Sequence, residues 1–221
     1  MSDTGRVILV GGGGFARELY HWIGDCTAAG RLPPLGGYVD DAGPVLHNAE
    51  RYDLPFLGGL DDCEIRDGDQ FVLALGSSAI KRKVHARLHA RGARFATVIH
   101  PSATVTSTSE VGEGSIICLG CCVGPDAVLG RFVTLNSSSG TGHDVRIGDF
   151  SVLAAAIVVA GNVSIGEDVS IGSSAVIMPG LKIGAGAVLG AGSVVYRSVR
   201  PGATVYAQPA KQLRLGGGGG R

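Results

Sequence analysis

Residues 163–177 read Val-Ser-Ile-Gly-Glu-Asp-Val-Ser-Ile-Gly-Ser-Ser-Ala-Val-Ile, so an isoleucine recurs at every sixth position. The same period runs from residue 99 to residue 195, and a single threonine interrupts the aliphatic side chains. The positions are Ile99, Val105, Val111, Ile117, Val123, Leu129, Leu135, Thr141, Ile147, Leu153, Val159, Ile165, Ile171, Ile177, Ile183, Leu189 and Val195. Neither a helix nor an ordinary strand keeps this period. It predicts a solenoid of short strands whose stacked coils bury a column of aliphatic side chains.

Small residues and glycines accompany the column at fixed offsets. The residue two positions before the aliphatic one is often small or β-branched, as at Ala103, Ser109, Ser115, Ala127, Val133, Val163, Val169, Ala175 and Ala187. The residue just after it is often glycine, as at Gly112, Gly124, Gly130, Gly148, Gly166, Gly172, Gly184 and Gly190. We expect the small residues to fill tight corners and the glycines to form the turns.

This six-residue unit resembles the repeat of the hexapeptide-repeat acyltransferases. The resemblance covers nearly half of the chain. It implies an all-β, left-handed parallel β-helix with three hexapeptides in each coil.

Composition favours a compact protein of two units outside the secretory pathway. The chain has 221 residues, 45% hydrophobic content and no formal net charge, which argues against nucleic-acid binding. No apolar run is long enough to span a bilayer. The five cysteines are odd in number and the N-terminus does not resemble a signal peptide, so we expect a reduced, cytoplasmic protein. Cys118, Cys121 and Cys122 include a CxxC spacing, but small buried coil residues explain them and no metal site is expected.

The first 97 residues follow a different pattern. The apolar run Val7–Val10 is followed by the glycine loop at 11–16 and by an amphipathic stretch, Arg17–Ile23, that predicts a helix. Strand, glycine loop and helix in this order allow backbone N–H groups to approach a phosphate at the helix N-terminus.

Two further predicted strands also end in polar or glycine-rich loops. Gly37–Val39 leads into Asp40 and Asp41, and Gln70–Leu75 leads into Gly76. A basic helix at 80–91 and a last strand at 95–98 follow. Open α/β sheets bind ligands at the carboxyl ends of their strands. Three interpretations of these loops are open. They are tight turns without a ligand, or a site for NAD, or a site for one nucleotide that carries a sugar. The unit is too short for a complete NAD-binding domain.

Taken together, four motifs resemble the bacterial sugar-modifying acetyltransferases. They are the glycine loop within 10–19, Tyr38–Asp41, the segment from Val72 to Ser78 followed by Lys81, and His100–Ala103. This family includes the nucleotide-amino-sugar N-acetyltransferases of bacillosamine and perosamine synthesis and the sialic acid O-acetyltransferases. The resemblance extends from about residue 7 to residue 211.

The resemblance implies three segments and a homotrimer. Residues 1–97 would form a Rossmann-like α/β half-domain that binds the nucleotide sugar, and residues 98–211 would form the β-helix. Residues 212–221 would be a flexible glycine-rich tail. Acetyl-CoA would lie in the groove between adjacent subunits, so that the active sites are at subunit interfaces.

His143 is the candidate catalytic base among six histidines. His21, His85 and His89 fall in helical segments, His47 lies in a loop and His100 belongs to a His-Pro pair interpreted as structural. In contrast, His143 follows the break at Thr141 within a glycine-rich turn, and Asp144 can orient its imidazole. The alternative is an exposed histidine in a solenoid turn. The resemblance implies that His143 is the base.

The resemblance also implies binding roles for other residues. On the substrate side they are Gly13, Gly14, Phe15, Asp40, Asp41, Gly76, Lys81 and Asn136. On the acetyl-CoA side they are Gly161, whose N–H would face the thioester carbonyl, and Ala191, Pro209 and Lys211. For Asn136, an asparagine ladder inside the solenoid is an equal alternative.

Three positions depart from the family pattern. Phe15 and Val152 stand where many relatives have histidine, and Ala207 replaces a glycine in the closing segment. These departures leave open whether nitrogen or oxygen is acetylated. We expect a metal-independent N-acetyltransferase that uses acetyl-CoA and a nucleotide-linked amino sugar. A sugar O-acetyltransferase of the sialic acid type and a non-catalytic sugar-nucleotide-binding scaffold are the alternatives.

Overall fold

A computed structural model describes residues 5–208, and it begins with a four-stranded parallel sheet. Its strand order is β2-β1-β3-β4. The elements are β1 (Val7–Val10), α1 (Gly14–Ala28), β2 (Leu35–Val39), a 3-10 turn (Ala49–Arg51), β3 (Gln70–Leu73), α2 (Ser78–Ala90) and β4 (Arg94–Phe95). We call residues 5–95 the N-terminal unit. Strand β1 is paired with β2 on one edge and with β3 on the other, and all four of its aliphatic residues are buried.

Two sequence predictions in this unit need correction. Helix α1 begins directly after Gly13 and extends beyond the predicted 17–23 segment, burying Ala16, Leu19, Ile23 and Cys26 on one face. The predicted strand at 95–98 is two strands in two different sheets. The N–H of Ala96 still bonds to the Phe71 carbonyl of the first sheet, whereas the N–H of Val98 bonds to Ser115 in the solenoid. The chain therefore changes sheets between these two residues.

The solenoid comprises residues 98–205 and contains eighteen strands of two residues each. They are β5 (Val98–Ile99), β6 (Thr104–Val105), β7 (Glu110–Val111), β8 (Ile116–Ile117), β9 (Cys122–Val123), β10 (Val128–Leu129), β11 (Thr134–Leu135), β12 (Gly140–Thr141), β13 (Arg146–Ile147), β14 (Val152–Leu153), β15 (Val158–Val159), β16 (Ser164–Ile165), β17 (Ser170–Ile171), β18 (Val176–Ile177), β19 (Lys182–Ile183), β20 (Val188–Leu189), β21 (Val194–Val195) and β22 (Thr204–Val205).

Successive strands belong to three parallel sheets of seven, six and five strands, which form the sides of a triangular prism. The seven-stranded sheet starts with β5, the six-stranded sheet with β6 and the five-stranded sheet with β7. Residues 18 apart are paired, as Thr134 is with Val152, so three hexapeptides make one coil. The parallel β-solenoid predicted from the sequence is confirmed, and it has about six coils.

The second residue of each strand forms the predicted column. From Ile117 to Leu189, every column position is at most 6% exposed, including Thr141. Serines at the small corner positions also contribute to the core. Ser115, Ser139 and Ser151 each donate a hydrogen bond of 2.9 Å from Oγ to a carbonyl of the next coil. Each hydroxyl also accepts a backbone N–H, so these buried polar groups are satisfied.

The glycines that follow the column do not form the turns as predicted. The left-handed residue lies two positions later, at Gly114 (φ 69°) rather than Gly112. A Cβ on Gly112 would lie 2.5 Å from the Gly130 carbonyl carbon of the next coil. These glycines therefore allow the coils to stack closely. The left-handed position accepts Asp, Asn and Ser, and also the bulky Phe132 and Phe150.

Helix α2 packs against a corner of the prism. Phe132 and Phe150 lie 18 residues apart where the five-stranded sheet leads into the seven-stranded sheet, and their rings stack at 4.9 Å. The ring of His85 lies 4.5 Å from Phe132, and the Arg82 guanidinium lies 4.3 Å above Phe150. Neither helix of the described residues is long and apolar enough to cross a membrane.

Candidate active site

His143 and Asp144 form a hydrogen-bonded pair on a solenoid turn. The turn joins β12 of the six-stranded sheet to β13 of the five-stranded sheet. His143 Nδ1 lies 2.7 Å from Asp144 Oδ2, and the two side chains are 60% and 54% exposed. Because an ionised carboxylate only accepts, the proton in this bond belongs to Nδ1, which leaves the lone pair of Nε2 available to take a proton.

Backbone contacts with neighbouring coils hold this pair in place. Asp144 has a left-handed φ of 58°, and its N–H donates to Pro125 O at 2.9 Å. In the next coil, the N–H of Asn162 donates to His143 O at 2.9 Å. The side chain of Thr141, where the aliphatic column breaks, accepts the N–H of Gly124 at 3.2 Å. The threonine at this break therefore links β12, the strand before His143, to the preceding coil by a side-chain hydrogen bond.

Gly161 lies against the imidazole of His143. It occupies the same corner position one coil later, and a Cβ built on it would be 2.6 Å from Nε2. Within the described residues, the backbone ladder uses the N–H groups of Ala160 and Asn162 but not that of Gly161. The Gly161 N–H is thus available to a ligand beside the imidazole.

Asn136 and Ala191 lie at a different corner from His143. Both follow strands of the seven-stranded sheet and precede strands of the six-stranded sheet. Asn136 Oδ1 accepts the N–H of Ser137 at 2.7 Å, so its carboxamide caps the local turn. The structure does not bring Asn136 and His143 together within one chain. Pro209 and Lys211, the other predicted acetyl-CoA contacts, and the glycine-rich tail at 212–221 lie outside the described residues.

The two corners flank the same side of the prism, which is formed by the six-stranded sheet. Its outer face carries valines in three successive coils, Val158, Val176 and Val194. Val158 is 53% exposed and Val194 is 49% exposed. The corresponding positions of the five-stranded sheet include Glu110, Arg146 and Lys182 instead. An apolar strip therefore separates the His143 corner from the Asn136 corner.

The predicted glycine loops of the N-terminal unit lie side by side. Gly13 and Gly14 follow β1, Gly76 follows β3, and these two strands are adjacent in the sheet. Helices α1 and α2 start at the same edge, so their N-terminal N–H groups face one region. Phe15 is partly buried, with its ring 6.2 Å from that of Trp22.

Two buried polar atoms near these helix starts have no hydrogen-bond partner among the described residues. They are Nε of Arg17, in the first turns of α1, and Oγ of Ser78, the first residue of α2. Ser78 is 7% exposed. The sequence motifs include both residues but indicate no binding role for either, because a single serine or arginine at a helix start is common. A buried polar atom without a partner favours a ligand that supplies one.

Asp40 and Asp41 already bind protein groups. The two oxygens of Asp40 accept the N–H groups of Gly12 and Ala42, each at 2.9 Å. Asp41 accepts the N–H of Leu60 and forms an ion pair with Arg87. The Arg87 side chain, followed by the Leu60 N–H, lowers the pKa of Asp41 below its usual value. Both carboxylates therefore shape the loop, and each oxygen of Asp40 keeps a lone pair for another donor.

Lys81 is not placed where the sequence suggested. Its side chain is 1% exposed and spans the interface between α2 and the solenoid, rather than facing the glycine loops. Nζ donates to Phe132 O at 3.2 Å and to Thr134 Oγ1 at 2.5 Å. Burial lowers the pKa of Lys81 to about 8. We correct the predicted substrate contact to a structural one, because helix periodicity turns this residue towards the solenoid.

The remaining candidates have structural surroundings. His100 is 5% exposed, and its ring nitrogens contact Ser102 Oγ at 2.8 Å and Asp25 Oδ2 at 3.1 Å. Cys118 and Cys121 are buried in the coil, while Cys122 is exposed. Within residues 5–208, no three His, Cys, Asp or Glu side chains form a group that could hold a metal ion.

The chain is similar to a known sequence family and to several solved structures. Residues 162–197 match the family model described as bacterial transferase hexapeptide (six repeats). The acetyltransferase domain of PglB from Neisseria gonorrhoeae FA1090, solved with acetyl coenzyme A, is 26% identical with a TM-score of 0.78. That match covers 94% of this chain and 98% of the other.

Two further structures are similar over both units. PerB from Caulobacter crescentus, solved with CoA and GDP-perosamine, is 29% identical with a TM-score of 0.79, covering 93% of this chain and 96% of PerB. WeeI from Acinetobacter baumannii AYE is 28% identical with a TM-score of 0.82, and the match covers 95% of this chain and 100% of WeeI. The predicted resemblance to hexapeptide-repeat sugar acetyltransferases is confirmed, and so is the prediction of an acyltransferase.

Proposed function

We propose that this protein transfers the acetyl group of acetyl-CoA to the amine of a nucleotide-linked amino sugar, with His143 as general base. The observation that carries the proposal is the His143–Asp144 pair, with a free Nε2 on an exposed turn next to an unused backbone N–H. The similarity to PerB, solved with CoA and GDP-perosamine, supports the two substrate classes.

In the proposed reaction the sugar amine attacks the thioester carbonyl carbon while His143 Nε2 removes a proton from the amine. Asp144 keeps the proton on Nδ1 and stabilises the imidazolium. The Gly161 N–H donates to the oxyanion of the tetrahedral intermediate. The intermediate then collapses, the carbon–sulfur bond breaks and the imidazolium returns its proton to the CoA thiolate. The products are the N-acetylated sugar and CoA, and no step requires a metal.

We assign the nucleotide sugar to the N-terminal unit, as half of a Rossmann-like domain at 1–97. The strand order 2-1-3-4 reverses direction between β1 and β3, and the loops with Gly13, Gly14 and Gly76 lie at this point. Two helix N-termini and the unpartnered Oγ of Ser78 favour a phosphate there. The lone pairs of Asp40 are available to a sugar hydroxyl or to an N–H group of the base.

A homotrimer completes the site in this proposal. The N-terminal unit packs through α2 on the corner with Phe132 and Phe150, whereas His143 is on another corner of the same chain. Three copies packed through the valine-lined face would put the His143 corner of one copy beside the Asn136 and Ala191 corner of the next. Acetyl-CoA would lie in the left-handed β-helix groove between these corners, and Asn136 would contact the acceptor.

The test is CoA thiol release from acetyl-CoA with UDP-, GDP- and dTDP-linked amino sugars, alongside sialic acid and CMP-sialic acid. Turnover with an amino sugar, with the acetyl group located on nitrogen by mass spectrometry, supports the proposal. Turnover with hydroxyl acceptors only would indicate an O-acetyltransferase. A protein that binds sugar nucleotides but shows no affinity for acetyl-CoA would be a scaffold.

A further inference from the structure

The glycine at position 161 is not required by the backbone. Its φ lies outside the left-handed range, so an L-residue can adopt this conformation. The equivalent positions of the preceding and following coils hold side chains, namely Pro125, His143 and Pro179. The corner therefore accepts a Cβ in other coils, and a local reason must explain the glycine.

The imidazole of His143 supplies that reason. A Cβ on Gly161 would lie 2.6 Å from Nε2, 2.8 Å from Cε1 and 3.0 Å from Cδ2 of His143. These three atoms form the edge of the ring that carries the proposed base nitrogen. All three distances are shorter than normal van der Waals contacts, so a methyl group and the ring cannot occupy their places together.

The ring cannot move away without losing its other contact. Nδ1 is held at 2.7 Å by Asp144 Oδ2. The Asp144 backbone is fixed by its left-handed φ of 58° and by the hydrogen bond to Pro125 O. Moving the ring off Gly161 would therefore break the Nδ1 hydrogen bond, or would rotate Nε2 away from its present direction.

We propose that Gly161 is a positioning residue for His143: its missing side chain is the space in which the imidazole lies while bonded to Asp144. This role differs from donation of the Gly161 N–H to the oxyanion, because alanine at 161 keeps the N–H and removes only the space. The kinetic part of the inference rests on the proposed function, whereas its structural part does not.

The experiment is a double-mutant cycle of Gly161→Ala and His143→Ala. In denaturant unfolding, Gly161→Ala is expected to lower the midpoint in the wild-type background and to have little effect once His143 is alanine. If Gly161→Ala alone prevents folding but the double variant folds, this outcome also supports the proposal, because removal of the His143 ring then restores the space that the methyl group needs. An equal loss in the two backgrounds, or misfolding in both, would overturn the proposal.

A second readout separates positioning from cofactor approach. In Gly161→Ala we expect kcat to fall about 100-fold, as for a reacting group displaced by roughly 1 Å, with a smaller change in the Kd of acetyl-CoA. The NMR signal of the His143 ring should shift. Unchanged kcat with an unchanged ring signal, or a loss confined to acetyl-CoA binding, would overturn the proposal.

The matched control is Gly24→Ala on the exposed side of helix α1. A Cβ there would have no neighbour within 4 Å. This variant should not lower the midpoint, because alanine favours a helix, and it should keep the wild-type kcat and ring signal. If no acceptor supports turnover in the wild-type protein, the proposed function fails, while the unfolding cycle and the ring signal still test the position of His143.

Discussion

Arg82 Nε donates to both carboxylate oxygens of Asp168, at 2.7 and 2.8 Å, and so joins helix α2 to the solenoid. The same guanidinium forms an ion pair with Glu167 and lies above the Phe150 ring. Because α2 starts at the Gly76 loop, these contacts fix the proposed nucleotide site relative to the β-helix. The two units are thus joined through residues that lie far apart in the sequence.

Arg82→Met should weaken this connection while keeping an apolar stem over Phe150. The side chain of Arg82 is 39% exposed, so solvent screening limits the expected loss of unfolding free energy to about 1 kcal/mol. The KM for the sugar acceptor should rise more than the KM for acetyl-CoA. Denaturant unfolding and steady-state kinetics measure both effects, with the exposed Lys83→Met on the same helix as control. The same unfolding free energy and the same KM values in Arg82→Met and Lys83→Met would contradict the role of Arg82 in joining α2 to the solenoid.

Lys81 should make stability depend on pH between 8 and 9. Burial lowers its pKa from 10.5 to about 8 in the folded protein, so in this interval the unfolded chain binds more protons. The contribution of Lys81 to the free energy of unfolding should therefore rise by about 1 kcal/mol between pH 8 and pH 9. The buried thiols of Cys26, Cys118 and Cys121 act in the opposite direction over the same interval, because burial raises their pKa values and keeps them protonated in the folded protein. The contribution of Lys81 is therefore the difference between the wild type and a variant without this amine.

Urea unfolding at pH 8 and 9 checks this expectation. From pH 8 to pH 9, the free energy of unfolding of the wild type should gain about 1 kcal/mol relative to that of Lys81→Met, whereas Lys83→Met should follow the wild type. The same pH dependence in Lys81→Met and the wild type would show that Lys81 is not responsible.

The valine-lined face should be needed for assembly. Val158→Glu places a charge on the most exposed valine of the strip, where a second copy would have to desolvate it. We expect a lower molar mass in analytical ultracentrifugation and a parallel loss of activity. Ser164→Glu, at the equivalent exposed position of the next strand, should leave the mass unchanged. An unaltered mass for Val158→Glu would place the interface elsewhere.

Complementation should reveal whether the site is shared between copies. His143→Ala removes the proposed base in the solenoid, and Asp40→Ala disturbs the proposed nucleotide loop in the N-terminal unit. Each variant alone should have little activity. Co-expressed with different tags, a mixed trimer should regain one intact site, formed by His143 of one copy and the Asp40 loop of another. Purified mixed trimers as inactive as either parent would indicate sites within single chains.

The sequence predicted the solenoid well because one residue in six determines it. The aliphatic column from Ile99 to Val195 gave the second residue of every strand in this span, and the break at Thr141 pointed to the neighbouring His143 turn. Contacts between coils were harder to predict from the sequence. The sequence predicts turns at the glycines after the column, whereas the structure shows that these positions lack space for a side chain because the next coil, 18 residues later, packs against them.

Contacts between the two units could not be read from the chain. Nothing local marks Lys81 as buried, because its acceptors at Phe132 and Thr134 are more than 50 residues away. The Nδ1 hydrogen bond from His143 to the adjacent Asp144 also depends on a left-handed φ that only the coil imposes. The sequence predicted the residues of the pair, and the fold supplies its geometry.

The most direct test of the account is the turnover of a folded His143→Ala protein with acetyl-CoA and the acceptor identified by the substrate panel. Loss of the proposed general base should lower kcat by about 100-fold or more, while acetyl-CoA affinity and the molar mass in solution stay close to those of the wild type. Wild-type kcat in the folded variant would contradict the assignment of His143 as the catalytic base.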